Sequence, residues 1–183
     1  DRDNPNVFNL SSNNFTIVGK VYINKPRTAE PDWVVGDVKQ IRWTPTGTFS
    51  FVKLEGSTNG FADENQTWTI GTVDAGSSGV IQTYNYTVDD KVSANVKIRV
   101  SDSDVNRNPY VRDTSVESFK IKGKLIIVQP TSGNEEWSAG SQPTSVPVQW
   151  QTIGTVPLVK IELYDGANWL VMTNSTPSNG TFS

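Results

Sequence analysis

The sequence predicts an all-β fold built from two similar units that follow one another along the chain. Apolar and polar residues alternate with a period of two, and no window shows the three-and-four spacing of an amphipathic helix. The alternation is clearest at Val96, Ile98 and Val100, whose neighbours in the sequence are polar or charged. Such a pattern is typical of a strand that buries one face. A segment pattern that occurs twice indicates the two units.

The repeat links residues 20–26, Lys-Val-Tyr-Ile-Asn-Lys-Pro, with residues 124–130, Lys-Leu-Ile-Ile-Val-Gln-Pro. The match continues through Trp33 with Trp137, Gly36 with Gly140, Ile41 with Val148, Trp43 with Trp150, and Gly47-Thr48 with Gly154-Thr155. Repeats longer than a solenoid unit are usually whole domains in series. We therefore expect tandem domains.

This alignment of the repeat divides the chain into three segments. Residues 1–19 resemble residues 102–123, the end of a unit, so they form the C-terminal strand of a preceding repeat or a donor strand. Residues 20–123 form a complete domain. Residues 124–183 form a truncated second domain.

Turn-forming residues divide the complete unit into about seven strands. We expect these strands near 20–25, 37–43, 49–55, 66–70, 80–88, 94–100 and 116–122. Seven short strands in a unit of this length is the number in an immunoglobulin-like β-sandwich. The joint between the units is only Lys122-Gly123-Lys124. A linker this short predicts a semi-rigid array.

The composition excludes most enzyme chemistry. The chain has no cysteine and no histidine, which excludes thiol nucleophiles, thiolate zinc sites and Ser-His-Asp triads. The remaining candidates for catalysis are carboxylate pairs, but these fall in loop-like stretches: Glu30 with Asp32, Asp63 with Glu64, and Glu135 with Glu136. We expect no enzyme and no required cofactor.

The charge pattern indicates which partners to expect. A net charge of −3 without a run of basic residues argues against nucleic acid and anionic membrane surfaces. No apolar stretch is long enough to span a membrane.

A set of core and turn residues in the complete unit resembles the Kre9/KNH-type immunoglobulin-like repeats of secreted and cell-surface proteins. The set comprises Pro26, Trp33 and Gly36, then Ile41 with Trp43, Gly47-Thr48, Val52 to Leu54, Tyr84 to Val88, Ile98 to Asp102, and Phe119 to Gly123. The resemblance implies an extracellular, multi-domain, structural or adhesive protein.

The tryptophans have different expected roles. Trp43 and Trp150 occupy equivalent positions beside apolar neighbours and are expected at the centre of each core. Trp33 and Trp137 are expected to cover one end of the core. Trp68 and Trp169 are candidates for stacking on sugar rings. The alternative for these two is an ordinary surface aromatic.

One loop has the spacing of a calcium site. Oxygen-bearing side chains stand at positions 1, 3, 5, 7 and 12 of a loop, namely Asp102, Asp104, Asn106, Asn108 and Asp113. This spacing suits Ca²⁺, although Arg107 stands where a calcium loop has glycine. The alternative is a polar turn that bonds its own backbone.

Six Asn-x-Ser/Thr sequences are candidate glycosylation sites, at Asn9, Asn14, Asn65, Asn85, Asn174 and Asn179. Among them, Asn85 alternates outward between Tyr84 and Tyr86 on a predicted strand.

These observations predict a structural or adhesive segment of an extracellular fibre, stalk or surface-protein array built from tandem Ig-like domains. Its partners are then neighbouring repeats of the same protein, through head-to-tail self-assembly, together with surface glycans. The alternative is an accessory carbohydrate-binding module of a secreted enzyme.

The ends of the sequence allow two assembly schemes. Phe15 and Ile17 match Phe119 and Ile121, so the tail offers a final strand to another subunit. Residues 180–183 align with residues near 79–82, and about 18 added residues would return the repeat to phase. We expect a segment of a continuous polymer rather than a donor-strand subunit, with the second scheme as the alternative.

Overall fold

A computed structural model describes residues 2–15, 17–104, 110–131 and 147–182. Within these ranges the chain is all β, with one short 3-10 turn at Glu64–Gln66 and no α-helix, which confirms the predicted class. The strands are β1 (Lys20–Lys25), β2 (Trp33–Val34), β3 (Val38–Thr46), β4 (Phe51–Ser57), β5 (Thr67–Asp74), β6 (Gln82–Thr87), β7 (Ser93–Asp102), β8 (Arg112–Thr114), β9 (Phe119–Lys122), β10 (Lys124–Gln129), β11 (Val148–Ile153), β12 (Leu158–Tyr164), β13 (Trp169–Pro177) and β14 (Thr181–Phe182).

Strands β1 to β9 form a two-sheet sandwich, which we call the first sandwich. One sheet has the order β1-β3-β6, and the other has the order β2-β9-β7-β4-β5 with β8 beside β7. The described residues of this sandwich contain nine strands rather than about seven. The two additional strands are β2, which pairs parallel with β9, and β8, and neither exceeds three residues. Strands this short carry no detectable period.

The core of the first sandwich lies between the inward faces of its two sheets. Trp43 on β3 is buried, as predicted, and its indole N–H donates to the carbonyl oxygen of Ala75 at 3.1 Å. Trp33 on β2 is only 1% exposed, and its ring centroid lies 4.4 Å from that of Phe119. Trp33 is therefore an interior residue of the core and not a cover over one end. A buried ring pair of this kind contributes both apolar area and aromatic contact.

Strands β10 to β14 form the second unit. Its sheets are β10-β11-β14 and the hairpin β12-β13. Lys124 pairs with Ile153 as Lys20 pairs with Thr46, and both strand pairs have an irregularity near their far ends. Few apolar side chains are buried here: Val148, Trp150 and Val159, with Val156, Ile161 and Phe182 packed against them.

The pairing of β14 changes the alignment of the chain end. Phe182 pairs with Val148 on β11, whereas Tyr84 pairs with Ile41 on β3. Because Val148 and Ile41 are equivalent in the repeat, Phe182 corresponds to Tyr84. The alignment of residues 180–183 with residues near 79–82 was therefore wrong by about three residues, as a small change in loop length produces.

We expect Trp43→Ala to lower the free energy of unfolding of the first sandwich by about 3–5 kcal/mol, because it leaves a ring-sized cavity in a closed core. Trp150→Ala is expected to cost less, since one face of the Trp150 ring borders an open groove. Chemical denaturation measures both changes. Trp169→Ala is the matched control, because Trp169 is 66% exposed. A loss below about 1 kcal/mol for Trp43→Ala would show that the core assignment is wrong.

Candidate functional site

The joint between the first sandwich and the second unit is held by one carboxylate. Asp90 lies in the loop between β6 and β7 of the first sandwich, and Thr155 lies in the turn between β11 and β12. The Asp90 carboxylate accepts hydrogen bonds from the Thr155 backbone N–H at 2.9 Å and from the Thr155 hydroxyl at 2.7 Å. Two bonds from one residue to one carboxylate fix direction as well as distance. These two hydrogen bonds connect the units through residues that are distant from the Gly123 linker in the sequence.

Two glycines allow the units to approach closely. Gly154 has a φ of +78°, and a Cβ added there would lie 2.8 Å from Cγ2 of Val35 in the first sandwich. Gly123, between β9 and β10, has equally little space, since a Cβ would lie 2.5 Å from Cγ2 of Val156. A side chain at position 154 would push the second unit away from the first sandwich, and a side chain at position 123 would push the linker away from the second unit. The linker is therefore packed closely against the second unit.

The same packing occurs at the opposite end of the first sandwich. A Cβ on Gly19 would lie 2.6 Å from the ring of Phe49 and 3.0 Å from the carbonyl oxygen of Thr46. A Cβ on Gly123 would meet Val156 and Ile153, which are the counterparts of Phe49 and Thr46 in the repeat. Gly19, just before β1, and Gly123, just before β10, are therefore surrounded by equivalent residues. Thr48, the counterpart of Thr155, is exposed at this end.

A polar network on the sandwich surface holds Trp68 inward. The Trp68 indole N–H donates to the Tyr86 hydroxyl at 3.2 Å, and that hydroxyl donates to the Asp89 carboxylate at 3.1 Å. The Trp68 ring lies so close to Gly56 that a Cβ there would overlap it. Burial raises the pKa of Tyr86 to about 12. Trp68 is thus half-buried and its polar atom is bonded, which leaves little free face for a sugar ring.

Trp169 has the opposite environment. It is 66% exposed on β13, and its ring centroid lies 5.1 Å from that of Tyr164, which is 52% exposed. The two ring planes are inclined by 41°. Of the two predicted stacking residues, Trp169 alone presents an open ring, with Tyr164 as an aromatic neighbour that sequence analysis did not single out.

The described residues of the predicted calcium loop accept hydrogen bonds from other groups of the protein. Asp102 is buried, and its Oδ1 accepts from the Asp104 backbone N–H at 3.0 Å. Oδ2 of Asp113 accepts from the Ile23 backbone N–H at 2.9 Å and from the Arg27 guanidinium at 3.1 Å. Asp113 therefore links β8 to β1.

Asn106 and Asn108 lie outside the described residues. Within the described ranges, no group of three or more acidic, histidine or cysteine residues is placed to hold a metal ion. Calcium binding stays a prediction.

The asparagines of all six glycosylation sequences are exposed, which is the accessibility that a glycosylating enzyme requires: Asn9, Asn14, Asn65, Asn85, Asn174 and Asn179. Asn85 faces outward from β6, where its side-chain oxygen is 3.5 Å from Nε2 of Gln40. Glycosylation itself stays a prediction.

An apolar groove lies between the two sheets of the second unit. Its volume is about 330 Å³, and its lining includes Leu125, Ile127, Trp150, Ile161, Leu163 and Met172. Leu163 and Met172 are 43% and 41% exposed. In the first sandwich, the corresponding space is closed by side chains of both sheets. Among residues 124–131 and 147–182, the groove is thus an apolar face that no described side chain covers.

The acidic pairs of the described loops make ordinary surface contacts. Glu30 lies 3.8 Å from the ammonium of Lys25, and Asp32 lies 3.1 Å from that of Lys122. Asp63 caps the 3-10 turn by accepting from the Asn65 backbone N–H at 2.9 Å. Glu135 and Glu136 lie outside the described residues. In the part of the chain that the structure describes, no helix has the length and apolarity to cross a membrane.

Comparison with known proteins gives limited information. No protein-family model and no curated protein matches the chain. Among solved structures, the fibronectin(III)-like modules of CbhA from Clostridium thermocellum are similar over 88% of this chain and 75% of that chain, with 18% identity and a TM-score of 0.29. A superposition of this quality does not bear on function. The two-sheet arrangement described above rests on the strand pairing of this chain.

Ionisation of Tyr86 is expected to destabilise the fold at high pH. Because the folded-state pKa is about 12 and the ordinary value is 10.0, the stabilisation is fully present below pH 10 and is lost as pH rises toward 12. Spectrophotometric titration of the phenolate tests this. The wild type should show a component with a midpoint at about pH 12 that is missing in Tyr86→Phe. An unchanged titration curve in Tyr86→Phe would contradict the assignment.

Replacement of Asp113 separates its structural role from calcium binding. In chelator, Asp113→Ala is expected to lower the free energy of unfolding by about 2–3 kcal/mol, because the bonds from Ile23 and Arg27 are lost. The calcium hypothesis predicts, in addition, that millimolar Ca²⁺ raises the Tm of the wild type but not of Asp113→Ala. Differential scanning calorimetry measures both effects. Identical wild-type melting in Ca²⁺ and in chelator would contradict the calcium hypothesis.

Proposed function

We propose that this chain is a structural segment of an extracellular fibre, stalk or surface-protein array built from tandem Ig-like domains. The contact between Asp90 and Thr155 across the Gly123 joint is the observation that carries the proposal. In such a protein the function is to hold a set distance and direction between its ends. The resemblance to Kre9/KNH-type repeats favours the same role.

The joint has the features of a link that transmits orientation. Gly123 is the single residue between β9 and β10, so the linker adds almost no freedom of its own. The Asp90 carboxylate is exposed, so we expect its two bonds to contribute on the order of 1 kcal/mol. That is sufficient to favour one orientation, because the packing of Gly154 against Val35 already excludes many others.

The surface chemistry suits an exposed array. The chain carries a net charge of −3, which favours solubility, and the six exposed asparagines of the glycosylation sequences lie on both units and on the N-terminal segment. Extracellular localisation and glycosylation are part of the proposal. Adhesion to surface glycans is an optional property that the array does not require.

The exposed pair of Tyr164 and Trp169 favours a second candidate, an accessory carbohydrate-binding module. Exposed neighbouring rings on a hairpin are suited to stack on sugar faces. We test this candidate on a glycan array with the wild type and Trp169→Ala. Binding that is lost in Trp169→Ala but retained in Trp68→Ala would favour the carbohydrate-binding function. A wild type that binds no glycan would contradict it.

The structural proposal is tested by the distance between the two units. The chain has no cysteine, so Asn65→Cys and Asn174→Cys place one spin label on each unit. Pulsed electron–electron double resonance, with labelled chains diluted into unlabelled ones, should give one narrow distance distribution. Asp90→Ala should at least about double its width, because the joint then loses both hydrogen bonds.

Two further variants complete this experiment. Thr155→Val removes only the hydroxyl bond and should give an intermediate width. Asp74→Ala is the matched control, since the Asp74 carboxylate caps a turn within the first sandwich and is remote from the joint. A wild-type distribution as broad as that of Asp90→Ala would contradict a rigid structural segment.

A further inference from the structure

A polar cavity lies on the outer face of the larger sheet of the first sandwich. Arg99 on β7 pairs with Glu55 on β4 and with Thr114 on β8, so the three side chains project from the same face of the sheet. The cavity has a volume of about 480 Å³, which is within the range of small-molecule sites. Its polar lining comprises Glu64, Lys97, Arg99, Arg112, Thr114 and Ser115.

The base of this cavity is fixed before any ligand binds. Arg99 donates to the Glu55 carboxylate at 2.9 Å, and the two side chains are only 12% and 8% exposed. The Arg99 guanidinium also lies 4.2 Å from the ring centroid of Phe61, in the loop between β4 and β5. That loop is held to the sheet because the Ser57 hydroxyl oxygen accepts from the Phe61 backbone N–H at 2.8 Å. A preformed base lowers the ordering cost of binding.

Two further cations line the cavity without a carboxylate partner. The ion pairs among the described residues include neither Lys97 nor Arg112. The Lys97 ammonium donates to the Val116 carbonyl oxygen at 2.9 Å, which uses one of its three N–H groups. The Arg112 residue is exposed, and its guanidinium has five donors and no acceptor. The remaining donors of both side chains suit an anion.

Glu64 shows that a carboxylate can reach this cavity. Its Oε1 lies 3.9 Å from Nη2 of Arg99, and its side chain is 77% exposed. A pair this long and this exposed is weak, so an incoming anion can displace Glu64 at little cost. Because Glu55 already neutralises Arg99, the cavity has two unpaired cations against one loosely held carboxylate. Its local charge is therefore positive, although the chain has a net charge of −3.

We infer that this cavity binds an acidic sugar residue of an anionic polysaccharide, through the carboxylate or sulfate group of that sugar. Arg112 and Lys97 bind the anionic group, and the hydroxyl groups of Thr114 and Ser115 suit those of the sugar ring. The volume is larger than a small inorganic anion fills, and the polar lining does not suit an apolar ligand. This site goes beyond the structural function, which requires no ligand.

Two other classes of ligand fit the observations less well. Nucleic acid requires a basic stripe that follows its backbone, whereas this cavity has only two unpaired cations. An acidic peptide has the anionic group but lacks the ring hydroxyl groups that match the neutral donors of the cavity. The site is also separate from the exposed pair of Tyr164 and Trp169, which lies on the second unit and has no cation among its ring contacts.

A titration followed by amide chemical shifts tests the inference, because it gives both the affinity and the location of binding. The probes are tetragalacturonate, which carries carboxylates, and a chondroitin sulfate tetrasaccharide, which also carries sulfate. Maltotetraose is the neutral control, and hexaglutamate represents an acidic peptide. We expect at least one acidic sugar to shift the amides of residues 60–64 and 112–116, with an affinity that falls as salt is added. Comparison of the two sugars identifies the preferred anionic group.

Three variants separate this site from a general effect of charge. Arg112→Gln should weaken binding about tenfold, because it removes a charge-assisted contact to the anion. Arg42→Gln is the matched control, since it removes the same charge from the outer face of the other sheet and should retain the wild-type affinity. Glu64→Gln should strengthen binding about threefold, because the competing carboxylate is lost while Glu55 still holds Arg99.

Three results would overturn the inference. They are a wild type whose amides do not respond to either acidic sugar, equal weakening by Arg112→Gln and Arg42→Gln, and hexaglutamate binding as tight as that of the sugars. None of these results affects the spin-label distances, so failure here is distinguishable from failure of the structural function.

Discussion

Each sheet of this chain has one apolar face, and the rest of the structure depends on how those faces are covered. In the first sandwich, β1-β3-β6 and the larger sheet cover each other around Trp33 and Trp43, which are 1% and 2% exposed. In the second unit, whose described strands are β10-β11-β14 and β12-β13, Leu163 and Met172 are about two-fifths exposed. Burial of apolar area is the main favourable contribution to folding, so the few buried apolar residues described in the second unit stabilise it less than the closed core stabilises the first sandwich.

The joint connects the first sandwich and the second unit through a one-residue linker and one carboxylate. Gly123 links the units, Gly154 leaves room for the Val35 side chain of the first sandwich, and the Asp90 carboxylate accepts two hydrogen bonds from Thr155. Their combined effect is orientation, which is the property that a fibre or stalk needs from each of its segments.

The sequence predicted the features that local patterns encode. Several strands of the first sandwich, such as β7 and β9, show a period of two, and all seven expected strands have counterparts there. It missed β2 and β8, which are too short for a period, and it placed Trp33 at the end of the core because its pairing with β9 is a long-range contact. The sequence predicted the joint at Lys122-Gly123-Lys124, but no local signal identifies Asp90 and Thr155 as the residues that connect the two units.

The central claim is that the two units are held in one orientation by the joint. Measurement of ¹⁵N relaxation across the chain, at a concentration where it is monomeric, tests this most directly, because it reports the tumbling of each unit. The account predicts that one anisotropic rotational diffusion tensor fits the amides of both units. Separate tensors, with the second unit tumbling faster than the first sandwich, would contradict it.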